Sequence, residues 1–384
     1  MIKRTLAWLI FCMIQICYSD VSLAKDCETK YYINPQTTYP NNEAKIGVPV
    51  QIKKANNILQ DAAYIDLKGK TESSLTEYSK EYCLASILVI KNDEIKLEKY
   101  YKGDQDATYF SASMSKSVLA LLYGIAIKEG LIKLDDKVSD VMPYFDKSSF
   151  GKATVEQLLR MSSGVHLVNS YDDQIEGDNK ITNPMQSPQQ NMEAYFLSKT
   201  DLNTMPGKRF DYNGVNTALL GLMLSKRTGI SNTEYLQNKI WRKIGAEHSA
   251  YWLKNRRGQE GVQGMFSATL RDYGRLGLLV LHKGKFNGRE IIPEEWIEQM
   301  TKLDRSKPQP DKPPFFYGLH IWIPTRGDMP ASGRSEMQGV GGRFISIDPV
   351  ANMVIVHIGH SKKAQGEFPN WGSLKRGLTD GFNK

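Results

Sequence analysis

Cysteine and histidine are scarce in this chain. Four cysteines and six histidines are spread over 384 residues, and no C-x-x-C pair occurs. His357-Ile-Gly-His360 runs from a strand end into a loop, so the sequence offers no recognisable metal-ligand set. Charge of one sign is not concentrated either. The formal charge is +8, but the longest basic runs are pairs such as Lys53-Lys54, Arg256-Arg257 and Lys362-Lys363. A nucleic-acid binder gathers its charge on one stripe, so this excess reads as a solvated basic surface. Internal repeats and coiled-coil heptads are missing, and nothing in the sequence specifies an oligomeric state. The apolar stretch from Thr5 to Tyr18 carries polar Gln15 and is too short to span a bilayer comfortably.

That stretch follows Lys3 and Arg4 and precedes Ser22-Leu23-Ala24, the pattern of a signal peptide over 1–24 with cleavage before Lys25. The expectation is an exported protein, periplasmic or secreted, with no stable membrane span once the signal is removed. Cys17 follows bulky Ile16, which argues against a lipoprotein cysteine. Cys12 and Cys17 leave with the signal. Cys27 and Cys83 then remain in an oxidising compartment, where they either pair or leave Cys83 as a buried free thiol. Sequence alone leaves both open.

Residues 25–55, with Pro35, Pro40, Asn41 and Asn42, read as an extended N-terminal extension, and residues 56–384 as the main domain. Ser86-Ile-Leu-Val-Ile90, then Asn92-Asp93, then Ile95 to Tyr101 predict a hairpin. From Ser113 to about Glu129 the chain is apolar nearly all round, predicting a helix buried on several sides and stopped by Gly130. Thr154 caps another helix, Val215 to Arg227 a further one ahead of Gly229, and Thr269 to Leu281 another. The polar stretch 166–192 reads as a long surface loop. Tyr317–Ile323, Arg343–Ile347 and Met353–Ile358 alternate like strands, and a helix from Trp371 to Phe382 follows. Strands at both ends with helices between them predict an α+β fold with a mainly helical insertion over about 114–283.

The usual serine-hydrolase signals are absent. There is no G-x-S-x-G elbow, and no histidine sits in a recognisable catalytic context. A second solution is Ser-x-x-Lys at a helix start. Three residues of separation put both side chains on one face, and a desolvated lysine can serve as base. The pattern occurs at Ser22–Lys25, Ser113–Lys116 and Ser149–Lys152. Of these, Ser113-Met-Ser-Lys116 opens the apolar helix that would shield its lysine from water.

Several ordered segments then carry a family resemblance. Ser113-Met-Ser-Lys116 is followed by Thr154-Val-Glu-Gln-Leu-Leu-Arg-Met-Ser-Ser-Gly164 and Pro206-Gly-Lys-Arg-Phe-Asp-Tyr212-Asn-Gly. Phe266-Ser-Ala-Thr-Leu-Arg-Asp-Tyr-Gly-Arg-Leu-Gly277 and Gly339-Val-Gly-Gly342 come after them. Together they resemble class C β-lactamase-like serine hydrolases, and most closely the branch with 6-aminohexanoate-dimer hydrolases and related esterases. The resemblance covers roughly residues 56–384. It implies the β-lactamase/penicillin-binding-protein-like fold, with an antiparallel sheet flanked by terminal helices and a largely helical subdomain. It also implies Ser113 as nucleophile, Lys116 as its base and Tyr212 in the proton relay. The oxyanion site would use the amides of Ser113 and of a strand near Val340, with Gly339 and Gly341 giving close substrate access. No metal or organic cofactor is implied. Two departures stand out: Gly214 where β-lactamases usually carry Asn, and Met337 where they carry Lys or His.

The sequence therefore predicts an exported serine hydrolase acting on a small ester or amide. A cell-wall D,D-peptidase or β-lactamase is the enzymatic alternative. A non-catalytic peptidoglycan- or peptide-binding protein of the same fold is the other, and the sequence names no natural substrate.

Overall fold

The near-continuous apolar run Leu84–Ile90 decides the architecture, because both faces of that strand must be covered. The computed structural model describes Cys27 and residues 32–59, 61–66, 71–168, 177–311, 315–326, 329–330, 333–361 and 371–382. The principal strands in chain order are β1 (Asn41–Ala44), β2 (Lys53–Lys54), β3 (Leu84–Lys91), β4 (Glu94–Tyr100), β5 (Thr108–Phe110) and β6 (Ala250–Leu253). They continue as β7 (Phe266–Thr269), β8 (Phe315–Tyr317), β9 (Trp322–Arg326), β10 (Ser335–Gly339), β11 (Arg343–Asp348) and β12 (Met353–Gly359). The principal helices are α1 (Leu75–Glu81), α2 (Met114–Lys128), α3 (Val155–Leu159), α4 (Gly214–Thr228), α5 (Leu270–Leu281) and α6 (Trp371–Gly381).

The large sheet runs β8-β9-β10-β11-β12-β3-β4-β2, with Met329–Pro330 paired onto β9. Its pairings are antiparallel except at the edge, where β2 lies parallel to β4. Successive side chains of a strand point to opposite faces. Ile87 and Val89 of β3 accordingly join Phe344, Ile355, Trp371, Leu374 and the α1 residues Leu75 and Tyr78 on one side. Leu88 and Ile90 join Ile345, Val354 and Val356 on the other, against α2 and α5. Helix α5 lies so close that a Cβ at Gly277 would stand 2.4 Å from a methyl of Val354. The structure is thus α+β, with helices on both faces of a mainly antiparallel sheet.

Beside it sits a four-stranded sheet, β1-β6-β7-β5. The extension is therefore built into the body: β1 pairs with β6, β2 pairs with β4, and the Asn34 Oδ1 accepts from the Thr108 amide at 2.8 Å. Within 114–283 most of the helices, α2 and α3 among them, pack around α4. Helix α5, which the sequence grouped with them, instead lies across β3, β11 and β12.

Two expectations change, and one open question is decided. Tyr317–Ile323 is not one strand but the inner halves of β8 and β9, which pair antiparallel. The turn between them holds His320 at φ 55, and the Gly318 amide donates to the Ile321 carbonyl at 2.9 Å. The polar stretch 166–192 is not simply a surface loop. Residues 169–176 lie outside the described residues, but Asp178–Ile181 is a short helix whose Asp178 is buried and paired with Lys199 at 2.6 Å. Of the two thiol readings, pairing holds: Cys27 and Cys83 form a disulfide, with Cα atoms 5.4 Å apart. The expected signal over 1–24 lies outside the described residues, and no helix among those described is long and apolar enough to cross a membrane.

The disulfide closes a loop of 56 residues in sequence separation. The chain-entropy argument gives roughly 4 kcal/mol for a loop of that size. The double variant Cys27→Ser/Cys83→Ser is expected to lose about 2–4 kcal/mol in a denaturant titration. An unchanged midpoint would show that the extension is anchored by its strand pairings alone.

Candidate active site

Ser113 stands where β5 hands over to α2. Ala112 before it is in the left-handed region at φ 45, a costly conformation for a residue with a side chain. The turn is wedged from the far side by β10. A Cβ at Gly339 would fall 2.4 Å from the Ser111 carbonyl oxygen and 3.1 Å from the Ala112 Cβ, so only glycine lets that strand approach. The Ser113 hydroxyl makes no capping bond to its own helix, which leaves it available to another group.

That group is Lys116, one turn on. Residues Met114 to Ala126 of α2 are all buried, and Lys116 with them. Its Nζ lies 2.9 Å from Ser113 Oγ and 2.6 Å from the carbonyl oxygen of Gln263. No carboxylate pairs with it among the described residues. Burial without a counter-charge pushes its pKa down from 10.5 to about 7. A neutral amine there donates to the Gln263 carbonyl and keeps its lone pair for the serine proton.

Tyr212 joins the pair from the segment before α4. Its ring centroid lies 5.3 Å from Lys116 Nζ and packs among Phe210, Tyr317 and Trp322 at 5.2–6.5 Å. Burial keeps the neighbouring Tyr317 hydroxyl protonated well beyond the usual range. The structure thus brings Ser113, Lys116 and Tyr212 to one place. Gly339 backs onto the Ser113 turn. Val340 packs against a small apolar cluster that includes Ala112, Phe110 and Met265. Gly341 and Gly342 follow at φ 84 and 83, reversing the chain into β11. Among the described residues the Ser113 and Val340 amides find no hydrogen-bond acceptor of their own.

The two departures have physical counterparts. A Cβ at Gly214 would meet the Gln263 side chain at 3.2 Å and Lys116 Nζ at 3.9 Å, so Gln263 fills the space an asparagine would need. Met337 is fully buried in the main core and offers no charge to a ligand.

Sequence reasoning missed three supporting groups. The Gln263 carbonyl is a backbone atom, with no side-chain signal to find. His320 is buried behind the lysine, with Nδ1 2.8 Å from the Leu159 carbonyl and Nε2 2.9 Å from Thr217 Oγ1. The Leu159 carbonyl can only accept, so Nδ1 carries the proton and Nε2 accepts from the threonine. Burial, and then the Lys116 charge, lower this histidine to about 3, and it stays neutral. The third group, Arg343, lies under the Val340 turn. One group of potential metal ligands occurs among the described residues, Cys27, Cys83 and His360, and its two sulfurs are spent in the disulfide.

Comparison with known proteins bears on the fold and the family. The curated 6-aminohexanoate-dimer hydrolase of Paenarthrobacter ureafaciens is 24% identical over 320 residues, covering 79% of each chain. The solved structure of a Bacillus anthracis protein assigned as a 6-aminohexanoate-dimer hydrolase superposes with a TM-score of 0.83 at 23% identity. It covers 92% of this chain and 94% of that one. A penicillin-binding protein from Bacillus halodurans superposes with a TM-score of 0.61 at 17% identity, over 80% of this chain and 99% of that one. At these identities the solved structures speak for the fold. The sequence profile of the family described as Beta-lactamase matches residues 83–372, most of the chain, and this protein belongs to that family as a class C β-lactamase-like member.

Proposed function

We propose that the protein hydrolyses ester or amide bonds through an acyl-enzyme on Ser113. One observation carries the proposal: Lys116 Nζ lies 2.9 Å from Ser113 Oγ, buried and without a counter-charge. In this reading the neutral lysine takes the hydroxyl proton as Oγ attacks the carbonyl carbon. The Ser113 and Val340 amides receive the charge that develops on the carbonyl oxygen. The proton passes by way of Tyr212 to the departing alcohol or amine as its bond to the acyl carbon breaks. Water then attacks the acyl-enzyme with the same groups in reverse, releasing the acid and restoring Ser113. Membership of the family supports a hydrolase, as does the name of the Paenarthrobacter relative, 6-aminohexanoate-dimer hydrolase. We place the enzyme outside the cytoplasm, on the signal pattern over 1–24.

Buried Met337 and side-chain-free Gly214 weaken the D,D-peptidase or β-lactamase reading, which needs groups to hold a carboxylate and an amide. A non-catalytic binder has no use for a desolvated lysine aimed at a serine.

A fluorophosphonate probe is expected to add once to the wild type and not at all to Ser113→Ala by intact mass. Lys116→Ala should label at least about a hundredfold more slowly. A folded wild type that takes no label would overturn the proposal.

Because the neutral amine is the active form, kcat/KM for a neutral ester should fall as pH drops through about 7 and level off above it. A profile flat from pH 5 to about 9 would remove Lys116 as base.

The same shift has a cost in stability. A lysine whose folded pKa lies below its unfolded 10.5 is penalised as pH falls from 10.5, and fully so below about 7. Lys116→Met should therefore lose activity yet gain roughly 2–4 kcal/mol of stability near neutral pH. In denaturant titrations the gain should shrink steadily as pH rises from about 7 toward 10.5, where the unfolded lysine also loses its proton. A gain that does not vary with pH would assign it to packing.

A further inference from the structure

Arg343 is the costliest side chain near the site that the mechanism leaves unused. It is 2% exposed, and among the described residues no carboxylate pairs with it. Its Nη1 donates to the Val340 carbonyl, while Nε and Nη2 have no partner. Burial lowers its pKa to about 10, which leaves it charged at neutral pH. Its guanidinium lies 4.3 Å from the centre of the Tyr32 ring and 5.9 Å from that of Phe110. A desolvated, half-satisfied cation is expensive, and an apolar side chain of similar volume would fill this space at lower cost. What arginine adds is a charged donor to one backbone carbonyl.

That carbonyl belongs to the turn proposed to receive the oxyanion. On one side of Val340, strand pairing fixes Gly339 opposite Arg343. On the other, the guanidinium holds the Val340 carbonyl. A Cβ at Gly341 would stand 2.2 Å from Arg343 Nη1 and 2.8 Å from the Ser361 carbonyl, so the turn and the guanidinium interlock. Gly339 stands between the Ser113 turn and the root of the side chain, since a Cβ there would lie 3.1 Å from Ala112 Cβ and 3.2 Å from Arg343 Cβ. With both flanks held, the Val340 amide has little freedom to turn away.

The geometry points to Arg343 as a positioning residue: seated on Tyr32, it holds the Val340 turn in place as one half of the oxyanion site and adds a positive charge beneath it. This rests on the hydrolase reading above. Tyr32 belongs to the N-terminal extension, so the extension becomes part of the machinery that keeps the site in register.

The test uses the full-length mature protein with p-nitrophenyl butyrate as substrate and phenylboronic acid as a tetrahedral adduct. Rates are expressed per Ser113 titrated with the fluorophosphonate, which removes any unfolded fraction. Arg343→Met is expected to lower kcat about ten- to hundredfold with KM within about twofold, and to weaken boronic acid binding in parallel. Arg343→Lys should recover part of both. Tyr32→Leu, which leaves Arg343 in place, should lower kcat and boronic acid affinity about three- to tenfold. Unchanged kcat and boronic acid affinity per titrated site in Arg343→Met would overturn the assignment and leave the hydrolase reading intact. If Arg343→Met does not fold, unchanged boronic acid affinity in Tyr32→Leu overturns it. If the wild type labels but does not turn over this ester, boronic acid affinity alone decides. A wild type that takes no label overturns the hydrolase reading, and this assignment with it.

Discussion

An amine that has been taken out of water without a counter-charge organises this molecule. Lys116 is buried because α2 is apolar nearly all round, and α2 is apolar because it runs through the interface between the large sheet and the surrounding helices. The requirement propagates outward. A lysine without a carboxylate needs an uncharged acceptor, and the Gln263 carbonyl supplies one. It needs neighbours that add no second positive charge, and His320 is held neutral by burial and then by the nearness of Lys116 itself. It also needs an aromatic wall, which Tyr212 and the cluster behind it form. In the proposed mechanism stability is given up here so that a base can exist near neutral pH, and the large core offsets the loss.

The oxyanion side follows a different logic. There the device is steric. Backbone reaches backbone because Gly339 has no side chain, and the left-handed Ala112 turns Ser113 toward the space so created. The cost is carried by packing on both sides: β10 pairs with β11, the Gly359 amide donates to the Gly342 carbonyl at 2.6 Å, and the Ser361 amide to the Gly341 carbonyl at 3.3 Å. Strain at a functional turn persists only where its surroundings over-determine it.

Much of this was legible in the sequence because it depends on local pattern. The run through Ile87–Ile90, the apolar helix after Ser113, the Thr154 cap and the Gly229 stop all find their places in the structure. The pairing of Ser113 with Lys116 was readable because helical spacing sets it. What escaped were relations with no local signature. The Gln263 carbonyl could not be seen as an acceptor, since every residue has one. Arg343 looked like an ordinary strand residue, because burial of a charge is a tertiary fact. Gly318 marked the turn that divides Tyr317 from Trp322, but alternation continues on both sides of it and hides the break. Asp178 was read as solvated because its neighbours in sequence are polar, whereas its buried ion pair is made with distant Lys199.

The large sheet closes through its own middle, since β3, near the start of the described chain, pairs with β12, near its end. The nucleophile belongs to the early half and the Val340 turn to the late half. A ribosome would therefore have to deliver almost everything up to β12 before the two halves of the site could meet. Until then the chain carries Ser113 and Lys116 with neither the strand that wedges their turn nor the amide that would share the oxyanion. Such non-local closure is intrinsically slow. In the proposed reading of an exported hydrolase, that ordering would leave Ser113 without its partners inside the cell and defer its chemistry to the compartment where the disulfide forms.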